Sequence, residues 1–297
     1  MRPYPALLKR AKTLEISKRE RIFYYDSVPA DAAKPLVLLI HGLGDDADSW
    51  RRLIPLLDDM YRTLALDLPG FGRSKTGRSI TIGRHIKAVV SLLEMHGPAM
   101  LAGSSLGGVI AQAVAAVKPE LVTALILIDG GMPLANVPGG TFNLLGKALP
   151  FYGAYWYRRF RKNHAAAYRS LFAYYHNLEG LPEEERAFLQ KRVIERVESA
   201  EQEKAYFGTM RSMIWYTMTK TASAAKALAK YKGRVAFVWG ENDKILPAKT
   251  ADGIRSIRPE APFFLVPNAG HLPHQENPAA VAAAVAAAVA QPTAECV

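Results

Sequence analysis

The chain has 297 residues, of which 49% are hydrophobic, so it is long enough to bury a sizeable core as one or two domains. Its 38 lysines and arginines outnumber its 27 aspartates and glutamates, which gives a formal net charge of +11. The longest apolar run, residues 279–290, is shorter than the roughly 18–20 residues that a membrane-spanning helix needs, and the single cysteine excludes an intrachain disulfide.

The composition also limits the classes of partner. The basic residues are mostly interspersed with acidic ones and no zinc-finger or other recognition motif is present, so a nucleic-acid partner is not expected. The seven histidines form no helical pair backed by carboxylates, and we predict neither a metal nor a cofactor. Charged residues interrupt residues 1–21, which is unlike a signal peptide and, with the cysteine count, predicts a cytoplasmic protein.

In chain order, apolar and polar patterning predicts strands that alternate with helices. The predicted elements are a hairpin at 14–17 and 21–27, strands at 36–40 and 63–67, a helix at 80–96, a strand at 98–102, a helix at 109–117 and a strand at 125–129. Such alternation is typical of a parallel sheet. We therefore predict an α/β fold with a mostly parallel central sheet flanked by helices.

The alternation stops between residues 132 and 232, where the patterns are helical and rich in Ala, Arg, Glu and aromatic residues. A strand-like run then leads to a closing Ala-rich helix, which carries Val281, Val285 and Val289 at intervals of four. We predict a core formed by residues 1–131 and 233–297, with a helical insertion at 132–232.

A Gly-x-Ser-x-Gly motif, residues 103–107, stands between the strand and the helix of this core. A serine on such a sharp turn is held at strained backbone angles with its hydroxyl exposed, which makes Ser105 the candidate nucleophile. Ser104 occupies the variable position of the motif and is the weaker alternative.

An acid and a histidine follow in the order that a nucleophile elbow requires. Asp243 and His271 each lie just beyond an apolar run, so neighbouring parallel strands would bring both to the sheet edge that holds Ser105. Asp129 ends a neighbouring strand and is the alternative acid. The alternative histidine, His274, is expected instead to open the closing helix or to contact substrate.

The loop after the strand at 36–40 reads His41-Gly42-Leu43-Gly44. With the serine motif, the later acid and histidine, and the stretch Asp-Leu-Pro-Gly-Phe-Gly-Arg-Ser at 67–74, the chain resembles the α/β-hydrolase superfamily over roughly residues 20–131 and 233–290. The resemblance implies that the N–H groups of Leu43 and Leu106 form an oxyanion hole. It also implies that the helical insertion follows the sixth strand and caps the active site.

These residues predict an enzyme in which His271 takes the proton of Ser105 and Asp243 orients the imidazole. Dehalogenases and epoxide hydrolases of the superfamily carry aspartate at the elbow, so the serine favours cleavage of a carboxylic ester, as in esterases and lipases. The alternatives are a carbon–carbon bond hydrolase of ring-cleavage products, and a member of the fold that binds a ligand without turnover.

Substrate information is concentrated in residues 151–176, which are rich in tyrosine and arginine and contain no acid. Their aromatic side can pack on the core while the basic side faces water. Alternatively, the aromatics line an acyl or aryl pocket, and Arg158, Arg159 or Arg169 attracts an anionic substrate or weakly attracts a membrane surface. The further candidates for the substrate pocket are His41, Gly42, Ser104, Met132, Tyr155 and Leu272.

Overall fold

The computed structural model describes residues 1–27, 34–77, 79–135, 137 and 150–290, which form a central β-sheet and the helices around it. The described strands are β1 (Ala11–Ser17), β2 (Glu20–Asp26), β3 (Leu36–Ile40), β4 (Arg62–Leu66), β5 (Lys75–Thr76), β6 (Ala99–Ser104), β7 (Val122–Ile128), β8 (Arg234–Gly240) and β9 (Phe263–Val266). Their order across the sheet is β1-β2-β4-β3-β6-β7-β8-β9, and β5 pairs with β2.

The sheet is antiparallel at one edge and parallel elsewhere. Strand β2 pairs antiparallel with β1, β4 and β5, whereas every pair from β4 to β9 is parallel. The carboxyl ends of β3, β6, β7, β8 and β9 therefore meet at one edge of the sheet, which is where ligands bind in open α/β sheets.

The described helices cover both faces of the sheet and also form a segment between β7 and β8. They are α1 (Ile54–Leu57), α2 (Ile82–His96), α3 (Leu106–Val117), α4 (Pro150–Arg161), α5 (His164–Arg169), α6 (Glu183–Glu198), α7 (Ala200–Lys230), α8 (Asp252–Arg255), α9 (Pro273–Glu276) and α10 (Pro278–Ala290). Among the described residues, none of these helices has both the length and the apolar character needed to cross a membrane.

Two apolar layers hold the core together, one on each face of the sheet. Side chains alternate along a strand, so Leu38 and Ile40 join the layer of α2 and α3, whereas Val37 and Leu39 join the layer of α1 and α10. Both sets are fully buried. Burial on two faces explains why the parallel strands appear in the sequence as continuous apolar runs.

The predicted α/β class and the mostly parallel sheet are confirmed, with strand and helix ends displaced by a few residues. Strand β5 escaped prediction because it has only two residues, too few to show a period. It also changes the strand count: the helical segment follows β7, which is the sixth strand in chain order only when β5 is left out.

Buried ion pairs attach the helical segment to the loop that follows β3. Arg192 of α6 pairs with Asp48, and Arg196 of the same helix pairs with Asp45 and, at 2.8 Å, with Asp46. Arg73, which belongs to the α/β core and not to the helical segment, also pairs with Asp48, at 2.8 Å. The cluster joins three arginines and three aspartates that the sequence analysis did not connect.

Candidate active site

Ser105 lies between β6 and α3 at the carboxyl edge of the sheet. Its backbone angles are φ 53° and ψ −115°, a strained conformation for a residue with a side chain. The flanking glycines permit the turn, because a Cβ on Gly103 would lie 2.3 Å from the carbonyl of Gly107, and one on Gly107 would lie 2.1 Å from the carbonyl oxygen of Ile40. Ser105 is half-buried, whereas Ser104 is fully buried.

Two backbone amides beside Ser105 are available to a ligand. Within the described part of the chain, the N–H groups of Leu43 and Leu106 have no hydrogen-bond acceptor. Leu106 is the first residue of α3, where helical N–H groups are unpaired and the helix dipole favours negative charge. A Cβ on Gly42 would lie 3.4 Å from the Cβ of Ser105, so the loop after β3 runs next to the serine. These amides can bind an oxyanion that forms there.

His271 and Asp243 form a buried hydrogen-bonded pair beyond the ends of β9 and β8. The Nδ1 atom of His271 lies 2.7 Å from Oδ2 of Asp243. The other oxygen of Asp243 accepts hydrogen bonds from the N–H groups of Ile245 at 2.7 Å and Leu246 at 2.9 Å. The carboxylate is thereby fixed, and the Nε2 atom of His271 remains to exchange a proton.

Asp129 lies in the same cluster, but its carboxyl has different partners. One carboxyl oxygen accepts the N–H of Gly240 at 2.9 Å, while the other is buried without a hydrogen-bond partner among the described residues. Carboxyl oxygens of Asp129 and Asp243 and a ring nitrogen of His271 lie within 4.8 Å of one another. Burial and the facing carboxylate of Asp243 raise the pKa of Asp129 well above its ordinary value. The protonated form of Asp129 is therefore favoured, whereas Asp243 bonds directly to Nδ1 of His271.

The other two histidines considered at the sequence level have structural contacts. Nε2 of His41 accepts the N–H of Leu68 at 3.0 Å, and its Nδ1 lies 2.7 Å from the carbonyl oxygen of Gly42. His274 packs on Trp50, with ring centroids 4.2 Å apart, and bonds to Ser49 at 2.8 Å. Burial lowers the pKa of His274 to about 3, so it stays neutral at physiological pH. His274 was predicted to open the closing helix or to contact substrate; it lies in α9, the separate short helix that precedes the closing helix α10.

Apolar side chains of α7 border the site. Tyr206, Met210 and Ile214 form one cluster with Leu43, and the ring of Tyr206 lies against Gly44. Sequence reasoning did not single out these three residues, although their spacing of four places them on one helix face. Burial raises the pKa of Tyr206, so its phenol stays neutral.

The remaining pocket candidates have different surroundings. Met132 is buried with Val109 of α3 and Ala224 of α7, and its backbone bonds to Gln112. Leu272 packs in a separate cluster with Tyr175, and Tyr155 is 60% exposed on α4. The segment before α6 also reaches the site, because the N–H of His271 donates to the carbonyl oxygen of Tyr174 at 2.8 Å.

The sequence is similar to those of known proteins over most of its length. The curated protein named "Uncharacterized hydrolase YugF" from Bacillus subtilis (strain 168) is 27% identical over 260 residues, which covers 86% of this chain and 89% of that protein. "Lipase 1" of Psychrobacter immobilis is 27% identical over 280 residues, covering 89% of this chain and 79% of the lipase.

A solved structure extends the likeness to the whole fold. The 2-hydroxy-6-oxo-6-phenylhexa-2,4-dienoate hydrolase from Rhodococcus sp. strain RHA1 superposes with a TM-score of 0.74, at 19% identity, and covers 95% of this chain and 100% of its own. At that identity the likeness concerns the fold alone. The model of the alpha/beta hydrolase fold family matches residues 35–278. The chain belongs to the α/β-hydrolase fold family.

Proposed function

We propose that this hydrolase cleaves carboxylic esters through an acyl-serine intermediate on Ser105. The observation that carries the proposal is the buried pair of His271 and Asp243, joined at 2.7 Å at the sheet edge that also holds Ser105 and the two unpaired amides. Nucleophile, base, orienting carboxylate and oxyanion donors are the parts that acyl transfer requires.

In the proposed reaction, Oγ of Ser105 attacks the ester carbonyl carbon while its proton passes to Nε2 of His271. The N–H groups of Leu43 and Leu106 stabilise the resulting oxyanion, and Asp243 stabilises the imidazolium. Collapse of the intermediate breaks the carbon–oxygen bond, and the alcohol leaves with the proton from His271. Water, deprotonated by His271, then attacks the acyl-serine, which releases the carboxylic acid and restores the serine.

We also propose that residues 132–232 act as a cap over this site. Three cap residues border the loop after β3, which carries Leu43 and is called the oxyanion loop below. They are Tyr206, Met210 and Ile214, and they suit an apolar acyl or aryl group. The pairing of Arg158 with Glu203 at 3.1 Å argues against Arg158 as a binding group for an anionic substrate. An apolar wall next to the catalytic groups favours ester cleavage over carbon–carbon cleavage of ring-cleavage products, which are anionic.

The test is hydrolysis of p-nitrophenyl esters from acetate to palmitate by the wild-type chain and by Ser105→Ala. The proposal predicts turnover that falls by several orders of magnitude in the variant, with an unchanged unfolding temperature. Turnover of 2-hydroxy-6-oxo-6-phenylhexa-2,4-dienoate without ester hydrolysis would assign carbon–carbon cleavage instead. A well-folded protein that turns over neither would contradict the catalytic assignment.

A further inference from the structure

We propose that the outer face of α7 docks this protein on the surface of a membrane that contains anionic lipids. The outer face consists of Lys204, Arg211, Trp215, Met218, Ala222 and Lys226. These residues recur at intervals of seven, four or three and therefore lie on one side of the helix.

The outer face exposes large apolar side chains that a protein normally buries. All six residues are exposed, including 69% of Trp215 and 65% of Met218. Tryptophan is enriched at membrane–water interfaces because its ring is apolar while its N–H can bond to water or headgroups. The two side chains are one turn apart, so both can enter a lipid surface at once.

The charge around the outer face favours an anionic membrane as its partner. Residues 204–240 contain seven lysines and arginines and no aspartate or glutamate. Cations on either side of an exposed tryptophan and methionine are the arrangement of helices that lie in the plane of an anionic membrane, with cations at the headgroups and apolar side chains below them. A nucleic acid would satisfy the cations but would leave Met218 exposed.

A neighbouring side of the same helix reaches the candidate active site, where Met210 and Ile214 pack with Leu43. A protein docked through the outer face would thus present the cap helix that borders the oxyanion loop to the lipid surface. This step rests on the proposed function, and it narrows the substrate class to esters of amphiphilic molecules that partition into membranes.

The first experiment measures binding of the Ser105→Ala variant to vesicles, so that turnover does not alter the lipid. Vesicles of equimolar phosphatidylcholine and phosphatidylglycerol are compared with phosphatidylcholine alone by flotation and by tryptophan emission. The emission is measured in a Trp156→Phe background, which leaves Trp215 and the fully buried Trp50 and Trp239. We expect binding to the anionic vesicles that weakens with added salt, and a blue shift that Trp215→Phe diminishes. Equal binding to both vesicles, or to neither, would overturn the proposal.

Variants then test the outer face directly. Each cation near an anionic surface contributes about a fivefold change in binding, so replacing Lys204, Arg211 and Lys226 with glutamine should weaken it about one hundredfold. The control replaces Lys9, Lys12 and Lys18, which are exposed in the N-terminal region, and removes the same charge. Trp215→Ser with Met218→Ser should also weaken binding, at least tenfold, while leaving hydrolysis of a water-soluble ester unchanged.

The control triple variant must bind nearly as well as its parent. If it weakens binding as much as the outer-face variant, net charge rather than this face is responsible and the proposal fails. Binding to a DNA oligonucleotide but not to vesicles would overturn it in favour of a nucleic-acid partner. Vesicle binding by a protein that does not hydrolyse esters would support docking and contradict the proposed function. Ester hydrolysis by a protein that does not bind vesicles would support the proposed function and contradict docking.

Discussion

Replacing the two clustered carboxyls one at a time tests which of them His271 depends on. Asp243→Asn removes the negative charge beside Nδ1 of His271, where the present separation is 2.7 Å. The amide can favour the wrong tautomer of the imidazole and cannot stabilise its positive form. The expected loss in kcat is about 10⁴-fold, which corresponds to about 5.5 kcal/mol of transition-state stabilisation.

Asp129→Asn is the matched control because it makes the same chemical change within the same cluster. The pKa of Asp129 is raised well above its ordinary value, so the substitution exchanges one neutral group for another. The side-chain oxygen of asparagine can still accept the N–H of Gly240, a bond now 2.9 Å long. We therefore expect kcat within about tenfold of the wild type, since no charge beside His271 is lost.

The assay is steady-state hydrolysis of a p-nitrophenyl ester, with the unfolding temperature of each variant as the check on folding. A larger loss in Asp129→Asn than in Asp243→Asn would mean that His271 depends on Asp129, at the end of β7, and would contradict the assignment of Asp243. Equal losses in both would mean that the two carboxyls share one charge, which contradicts a neutral Asp129.

Three further predictions concern stability. Because the pKa of Asp129 is raised in the folded protein, its contribution to stability should fall as pH rises above the ordinary value of 3.8. Asp129→Asn removes this loss and should gain up to about 1.4 kcal/mol per pH unit over the wild type. Urea unfolding between pH 4 and 7 measures the difference, and parallel curves would contradict it. Gly107→Ala places a Cβ 2.1 Å from the carbonyl oxygen of Ile40 and should yield little folded protein. The control, Gly83→Ala, should fold because the nearest atom to its Cβ would lie 3.9 Å away. A stable Gly107→Ala variant would contradict the close packing of the turn around Ser105. Arg192→Ala leaves Asp48 without one buried partner and should lower the free energy of unfolding by about 3 kcal/mol. The control, Lys118→Ala, removes an exposed ion pair and should cost less than about 1 kcal/mol. Similar losses in both variants would contradict a stabilising role of the buried pair.

Local patterns were enough to predict the sheet and the position of Ser105. Buried parallel strands are apolar throughout and can be recognised by that. The glycines of the serine motif can also be understood locally, because a Cβ on Gly103 or Gly107 would clash with neighbouring backbone atoms. The positions of Asp243 and His271 followed from strand order, because parallel neighbours end at one edge. Their proposed catalytic roles remain to be tested by the variants above.

The features that sequence reasoning missed depend on distant residues. Arg192 pairs with Asp48 across 144 positions of the chain, and no local pattern reports such a pair. The raised pKa of Asp129 depends on burial and on the facing Asp243, which only the folded chain creates. Tyr206 borders the site because α7 crosses the loop after β3, whereas Tyr155 attracted attention through composition and is exposed.

Locating the residue that forms the covalent bond tests whether Ser105 is the nucleophile. The wild-type protein is treated with a fluorophosphonate, which transfers its phosphonyl group to an activated serine, and the digested peptides are sequenced by mass spectrometry. The account predicts a single adduct on Ser105, absent from His271→Ala because the base is missing. An adduct on Ser104, or no adduct on a folded protein that hydrolyses esters, would contradict it.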